Sequence, residues 1–331
     1  MKYCFFFCYG TVDRYIFKDL NALSNVQIFF LNSPKHSKMI SIARRIHRSE
    51  LINTYINLPW KSLWEDFQGR KNYLNQFDCF VFTSYSLVFL DWNFLRDAKN
   101  NGHKMVLIIY DSLSAHSSHL KVVKRYIFGF EWDMIISFDS NDCMRYGFTP
   151  INYAMYSILD VSKSTNYSDI YFIGSNKYGR NDKVKDIYLD LVKNKVSCNF
   201  NFKEIKRFSP KKKAQCYDGL HIFYNQDLPY HKVVSDVMST NVILEYLQDG
   251  QRAQSLRYYE AVCYNKKLLT NNVNITKMPF YNSHYMKVFT SFDDIDIEWV
   301  KKKEDINYGY GGEFSPIYLL KIIEMKLHVL S

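Results

Sequence analysis

Short apolar runs bounded by turn residues alternate with longer amphipathic segments along most of this 331-residue chain, and no other feature constrains the fold as strongly. A strand that reads as an unbroken apolar run is covered on both faces, and strands alternating with helices build parallel sheets from βαβ units. The first half predicts strands at 2–8, 26–31, 79–83, 105–110 and 134–138, with helices near 38–48, 60–75, 87–100 and 119–128. Residues 158–168 are polar and aperiodic, and a fresh buried strand follows at 169–174. Beyond it the pattern predicts helices at 183–193, 230–240, 255–264 and 315–328, and strands at 198–202, 221–224, 242–246, 267–270 and 287–290. The expected architecture is α/β: two Rossmann-like parallel-sheet domains, 1–160 and 161–331, facing a cleft, with the last helix placed to pack back on the first domain.

Composition narrows the class further. A chain of this length with 47% hydrophobic residues buries a full core without staples, and only 12 Gly and 7 Pro exclude collagen-like and largely disordered chains. The aromatic content, 17%, is high; composition bias explains most of it, with stacking surfaces for bases or sugars as the functional alternative. A net charge of +10 predicts an anionic partner such as phosphate, nucleic acid or a phospholipid surface. Seven cysteines without a CxxC pair suit a reducing compartment and indicate neither a zinc site nor a disulfide framework. No stretch qualifies as a signal h-region or a membrane span, so a cytoplasmic protein is expected.

Chemistry concentrates in 243–261. Ser255 is placed to cap the helix that follows, and the free N–H groups of its first turn form an anion site. Glu260 lies near the apolar side formed by Leu256, Tyr259 and Cys263 and must find partners: a ribose diol, or Arg257 in an i, i+3 ion pair on a solvated face. At the carboxyl ends of first-domain strands, Asp13 and Asp111 (with His116) are the candidates for general acid–base work, although Asp111 serves equally as a helix cap. Tyr224 and Tyr230 flank a loop where a base could stack. The basic run 203–213 is a solvated loop or a contact for an anionic surface.

Gly250-Gln251, Ser255, Arg257 and Glu260-Ala261, followed by Lys266-Lys267-Leu268-Leu269-Thr270-Asn271-Asn272, resemble the nucleotide-sugar segment of bacterial glycosyltransferases that assemble capsule, lipopolysaccharide or O-antigen chains. Ala253-Gln254 stands where that family tends to have Gly-Leu. Upstream, 171–180 is similar to the strand-to-loop segment that opens the nucleotide-binding domain of GT-B glycosyltransferases. There Gly174 permits a tight turn after the strand, and Lys177 and Arg180 are placed to neutralise a diphosphate. The segments 136–148, 279–282 and 296–299 match in the same way, so the resemblance runs from about 136 to the C-terminus.

The resemblance implies a GT-B fold. It also implies a nucleotide-sugar donor held by Gly174, Lys177, Arg180, Gln251, Ser255, Arg257 and Glu260, and a lipid-linked or polysaccharide acceptor held by the first domain. Such enzymes usually need neither metal nor cofactor, and work in the cytoplasm or at the inner face of the membrane, without a nucleic-acid partner. Asp294-Ile295-Asp296 imitates a metal-binding Asp-x-Asp but lies after both α/β halves, and reads as a solvated loop. Two rivals stand beside this reading. A nucleotide-sugar-modifying enzyme would need a GxGxxG after the first strand, which is absent; a non-catalytic nucleic-acid-binding protein would use the charge and the aromatics.

Overall fold

The computed structural model describes all residues except 9–11, 32–42, 45, 48, 57, 61–70, 91, 114–117, 152–155, 176–179, 205–214, 218, 225–227, 248–254 and 330–331. The chain divides into two units, Met1–Ser157 with Glu313–Ser331, and Ile158–Gly312.

In the first unit, β1 (Tyr3–Cys8), β2 (Val26–Leu31), β3 (Cys79–Thr83), β4 (Lys104–Ile109), β5 (Met134–Ser137) and β6 (Thr149–Pro150) form one sheet in the order β2-β1-β3-β4-β5-β6. Every pairing is parallel. All six residues of β1 are buried, which is why its sequence, YCFFFC, is apolar at every position rather than at alternate ones. Phe6 stacks on Phe82 at 4.8 Å between ring centres and meets Phe80 edge-on at 5.4 Å, so much of the aromatic excess here is core. The helices are α1 (Asp13–Ile16), α2 (Glu50–Tyr55), α3 (Lys71–Leu74), α4 (Trp92–Asn100), α5 (Ser118–Gly129) and α6 (Ser140–Tyr146).

Two local expectations change. The helix expected over 87–100 is broken: a 3-10 turn, Leu87–Phe89, precedes extended Leu90, and α4 begins at Trp92. Leu90 is fully buried and its carbonyl accepts from the Tyr126 hydroxyl at 2.8 Å, a contact that a continuous helix would not leave free. Helix α6 falls where the sequence suggested no helix; Asp139 caps it and Gly147, at φ 71°, ends it. The helix expected at 38–48 and most of that at 60–75 lie outside the described residues.

The second unit contains β7 (Ser168–Ser175), α7 (Arg180–Lys193), β8 (Cys198–Glu204), β9 (Gln215–Tyr217), β10 (Leu220–Tyr224), α8 (Tyr230–Met238), β11 (Thr240–Glu245), α9 (Leu256–Cys263), β12 (Lys267–Thr270), β13 (Met286–Val288) and α10 (Ile297–Lys301). The sheet order is β13-β12-β11-β7-β8-β10-β9, with only β9 antiparallel. Ile170, Phe172, Phe200, Phe202, Val242 and Leu244 build the core beneath α7 with Val184 and Leu191. The chain closes in α11 (Pro316–Val329), which belongs to the first unit; just before it, Ser315 Oγ donates to Asp19 Oδ2 at 2.6 Å. Among the described residues no helix is long and apolar enough to cross a membrane.

Each sheet has a switch point, where the chain leaves one strand toward one side and later returns on the other. These lie between β1 and β3 in the first sheet and between β7 and β11 in the second. Open α/β sheets bind ligands outside the carboxyl ends of strands at such points.

Candidate active site

At the switch point of the second sheet, β7 runs through Gly174 to Ser175, so Gly174 lies within the strand and not in a turn, as the sequence had suggested. Its lack of a side chain has another cause. A Cβ there would sit 2.5 Å from Arg180 Nη2 and 2.8 Å from the Phe172 ring. Gly174 thus leaves space for the guanidinium of Arg180, which donates to the carbonyl of Ser175 and, at 3.4 Å, to that of Tyr246. Arg180 therefore joins the ends of β7 and β11, and burial pulls its pKa below the usual value. Its Nε is buried without a partner among the described residues. So are both amide atoms of neighbouring Asn181, which is 2% exposed in the first turn of α7. An unpaired buried amide costs about 1–3 kcal/mol unless something supplies its hydrogen bonds.

Beside Arg180, Glu245 ends β11 and is fully buried. One carboxylate oxygen accepts from Ser255 Oγ at 2.6 Å and from Ser255 N at 3.1 Å, and the other from Thr270 Oγ1 at 2.6 Å. Burial raises its pKa, against the lowering effect of these bonds and of Arg257. Ser255 caps α9 as the sequence predicts, accepting from Arg257 N at 3.1 Å, and Glu245 fixes it from behind. Asn272, which follows β12, keeps a buried Nδ2 without a partner among the described residues.

Glu260 has no exposed surface. Its Oε2 pairs with Arg257 Nη1 at 2.5 Å and its Oε1 accepts from the Tyr230 hydroxyl at 2.8 Å. The i, i+3 ion pair is present, but it is buried rather than solvated, and burial pushes Glu260 up to about 6 despite Arg257 and Tyr230. Tyr230 gives its hydroxyl to Glu260 and is 6% exposed, so its ring is not an open stacking surface. Lys267 is also turned inward, donating to the carbonyl of Trp299 at 2.8 Å and pairing with Glu304 at 3.0 Å.

The carboxyl edge of the first sheet carries different chemistry. Asp13, in the helix after β1, is 2% exposed. The Tyr85 hydroxyl, just after β3, donates to Asp111 Oδ2 at 2.7 Å. Burial raises the pKa of Tyr85 and Tyr110, and the charges acting on them are carboxylates: Asp111 and Asp13 on Tyr85, Asp13 on Tyr110. The Tyr110 ring stacks on Phe138 at 5.9 Å and lies 5.9 Å from Tyr85. Thr83 and Ser84, at the end of β3, are 0% and 1% exposed, and neither hydroxyl has a partner among the described residues.

The fold is similar to that of solved structures. The apo form of the lipopolysaccharide outer core galactosyltransferase WaaB matches with a TM-score of 0.50 at 12% identity over 100% of both chains. An alpha-glucosyltransferase in complex with UDP and a 13-mer DNA containing a HMU base matches with 0.60 at 11% identity over 99% of both. The same enzyme type with UDP-glucose and DNA containing an abasic site gives 0.57 at 10% identity, again over 99% of both. The fold is GT-B. No protein-family model and no curated protein matches the sequence.

Within this GT-B chain, the structure gathers Gly174, Arg180, Ser255, Arg257 and Glu260 around the carboxyl edge of the second sheet, while Asp13 and Asp111 lie at that of the first. Lys177, Gln251, His116 and residues 205–213 of the basic run lie outside the described residues. Asp294 and Asp296 are caps. Thr290 and Ser291 donate to Asp294 and hold it down to about 2, and Asp296 caps α10 and pairs with Lys287 at 2.8 Å. Glu245, Asn181, Thr83, Ser84 and Tyr85 were missed by sequence reasoning, and Asn272 was read only as part of the resembling run. The only signal for Thr83 to Ser86 was a switch from apolar to hydroxyl residues at a strand end.

Proposed function

We propose that this chain is a glycosyltransferase that moves a sugar from a nucleotide-diphosphate donor to a lipid-linked or saccharide acceptor in the synthesis of a bacterial surface polysaccharide: capsule, lipopolysaccharide or O-antigen. The observation that carries the reading is the pair Arg180 and Asn181. A buried guanidinium and a buried amide without a partner among the described residues open an α-helix at the switch point of a GT-B second sheet. The resemblance of 171–180 and 243–272 to nucleotide-sugar segments and the likeness to a lipopolysaccharide galactosyltransferase support it.

As the bond between sugar C1 and the diphosphate oxygen breaks, negative charge grows on the leaving diphosphate. Arg180, Lys177 and the N–H groups opening α9 stabilise that charge, with Glu245 and Gly174 holding Ser255 and Arg180 in place. Gln251, named with Ser255 in the same nucleotide-sugar resemblance, is a further donor contact in this reading. Glu260 meets the ribose by exchanging its bond to Tyr230 or Arg257 for a ribose hydroxyl. Asp13 takes the acceptor proton, and Asp111, held by Tyr85, is its neighbour at the same edge. With side chains and helix termini compensating the diphosphate, transfer is expected to persist in EDTA. Thermal shift against UDP-, GDP-, CMP- and dTDP-sugars tests the donor site; stabilisation by none of them at millimolar concentration, with no donor hydrolysis, would remove it.

A second reading has its own observations. The alpha-glucosyltransferase structures are complexes with DNA, and a net charge of +10 suits a polyanionic acceptor. It predicts duplex binding that weakens steeply with salt, whereas the first reading predicts contact with an anionic membrane face and none with DNA.

A further inference from the structure

Away from the donor edge, the second sheet carries a cavity of about 260 Å³ on its α8 side, reaching the amino end of the strands, where Tyr167 and Ser197 line it. Along β8, Phe200 and Phe202 enter the core beneath α7, so alternation turns Asn199 and Asn201 to the opposite face. His221 is in register with Asn201 and Phe223 with Lys203, which brings both to that same face of β10. Helix α8 packs over β7 and β11, and between β8 and β10 the chain adds only β9 among the described elements. A parallel strand covered on this face would carry apolar residues, and two amides in alternation depart from that pattern. Asn201 is 4% exposed and donates from Nδ2 to Asn199 Oδ1 at 2.9 Å. Neither side chain makes another hydrogen bond among the described residues, so Asn201 Oδ1 and Asn199 Nδ2 are a spare acceptor and a spare donor in the cavity wall.

We propose that this cavity binds one neutral sugar ring of a saccharide, at a site separate from the transfer. The charges on its wall, Lys232 and Asp236, pair at 2.6 Å and offer no net charge to a phosphate or a cation. What remains is neutral and polar: the two amides and the His221 imidazole, with the rings of Phe223 and Tyr167 beside them. A carbonyl oxygen that accepts and an amide nitrogen that donates suit two neighbouring ring hydroxyls, one giving and one taking a hydrogen bond. The aromatic rings suit the apolar face of a pyranose. A cavity of about 150 Å³ already holds benzene, so this volume admits one six-membered ring, and it is smaller than the roughly 300–1,000 Å³ of sites that enclose drug-sized ligands. The amino end of the strands is opposite the edge of Arg180 and Ser255, so a ring held here is not the one being transferred. As a holding point that raises the local concentration of a growing chain, the site rests on the proposed glycosyl transfer; as a sugar site it stands without it.

The test is saturation-transfer NMR on the full chain with the methyl glycosides of glucose, galactose, mannose and N-acetylglucosamine at millimolar concentration, and with adenosine as a neutral planar control. Asn199→Leu removes the spare donor, and Ser197→Trp, at an exposed position on the rim, fills the mouth without touching the bond between Asn199 and Asn201. The expected result is binding of at least one glycoside to the wild type, an affinity about tenfold or more weaker in S197W and in N199L, no displacement by UDP, and the same donor-induced thermal shift in S197W as in the wild type. If N199L does not fold, S197W alone decides. Binding of no glycoside, equal binding in S197W, displacement by UDP, or a preference for adenosine overturns this inference. Glycoside binding as expected in a wild-type chain that no donor stabilises overturns the glycosyl-transfer reading and leaves the sugar site standing.

Discussion

Each sheet places a switch point beside the first strand of its unit, and the two are filled with opposite chemistry. At the second, Arg180 bridges two strand ends and a carboxylate, Glu245, is spent on holding Ser255 and Thr270. At the first, carboxylates and tyrosines lie together, and two further buried hydroxyls have no partner among the described residues. One edge suits a diphosphate and the other a neutral hydroxyl compound. Topology decides where a ligand sits, and the few residues after each strand decide what it is.

Four substitutions break or sharpen that contrast. Arg257→Ala leaves the Glu260 carboxylate buried without its cation and is expected to cost about 3–5 kcal/mol in urea unfolding at neutral pH, with partial recovery in acid. Arg180→Ala should leave the first sheet's edge intact and lower kcat/KM by about 10²–10³-fold, the range for removing one group that stabilises developing charge. A value near wild type would take Arg180 out of the donor site. Glu260→Gln addresses pH. Glu260 titrates at about 6 against an ordinary 4.5, so its contribution is fully present below 4.5 and is lost as pH rises through 6. Between pH 4.5 and 7 the wild type should lose about 2 kcal/mol relative to E260Q. Smallest is Asp296→Ala, which removes a helix cap for about 1 kcal/mol and leaves transfer unchanged. If Asp296 instead held a metal, the variant would lose divalent-dependent transfer.

Strands were the most legible part of the sequence: β2, β3 and β12 lie where short apolar runs placed them, and β3 is buried at every position because both of its faces are covered. The Leu87–Asn100 segment was misread because its periodicity is helical while tertiary packing holds Leu90 extended. The cap at Ser255 was readable from local chemistry alone. The burial of the Arg257–Glu260 pair was not, since Tyr230, thirty residues away, supplies one of its bonds. Gly174 was recognised as a needed glycine for the wrong reason: its neighbour is a side chain six residues on, invisible to turn rules. Thr83 and Ser84 read as an ordinary strand end, and only their lack of partners among the described residues marks them.

The central claim is that the edge built on Arg180 and Asn181 binds a nucleotide-diphosphate sugar. Thermal shift of the wild type and of Arg180→Ala with UDP-, GDP-, CMP- and dTDP-sugars, without added metal, tests it most directly. The account predicts stabilisation of the wild type by at least one donor and loss of that shift in R180A, each shift being measured from the protein's own ligand-free Tm. Stabilisation by none, or an equal shift in both proteins, would contradict it.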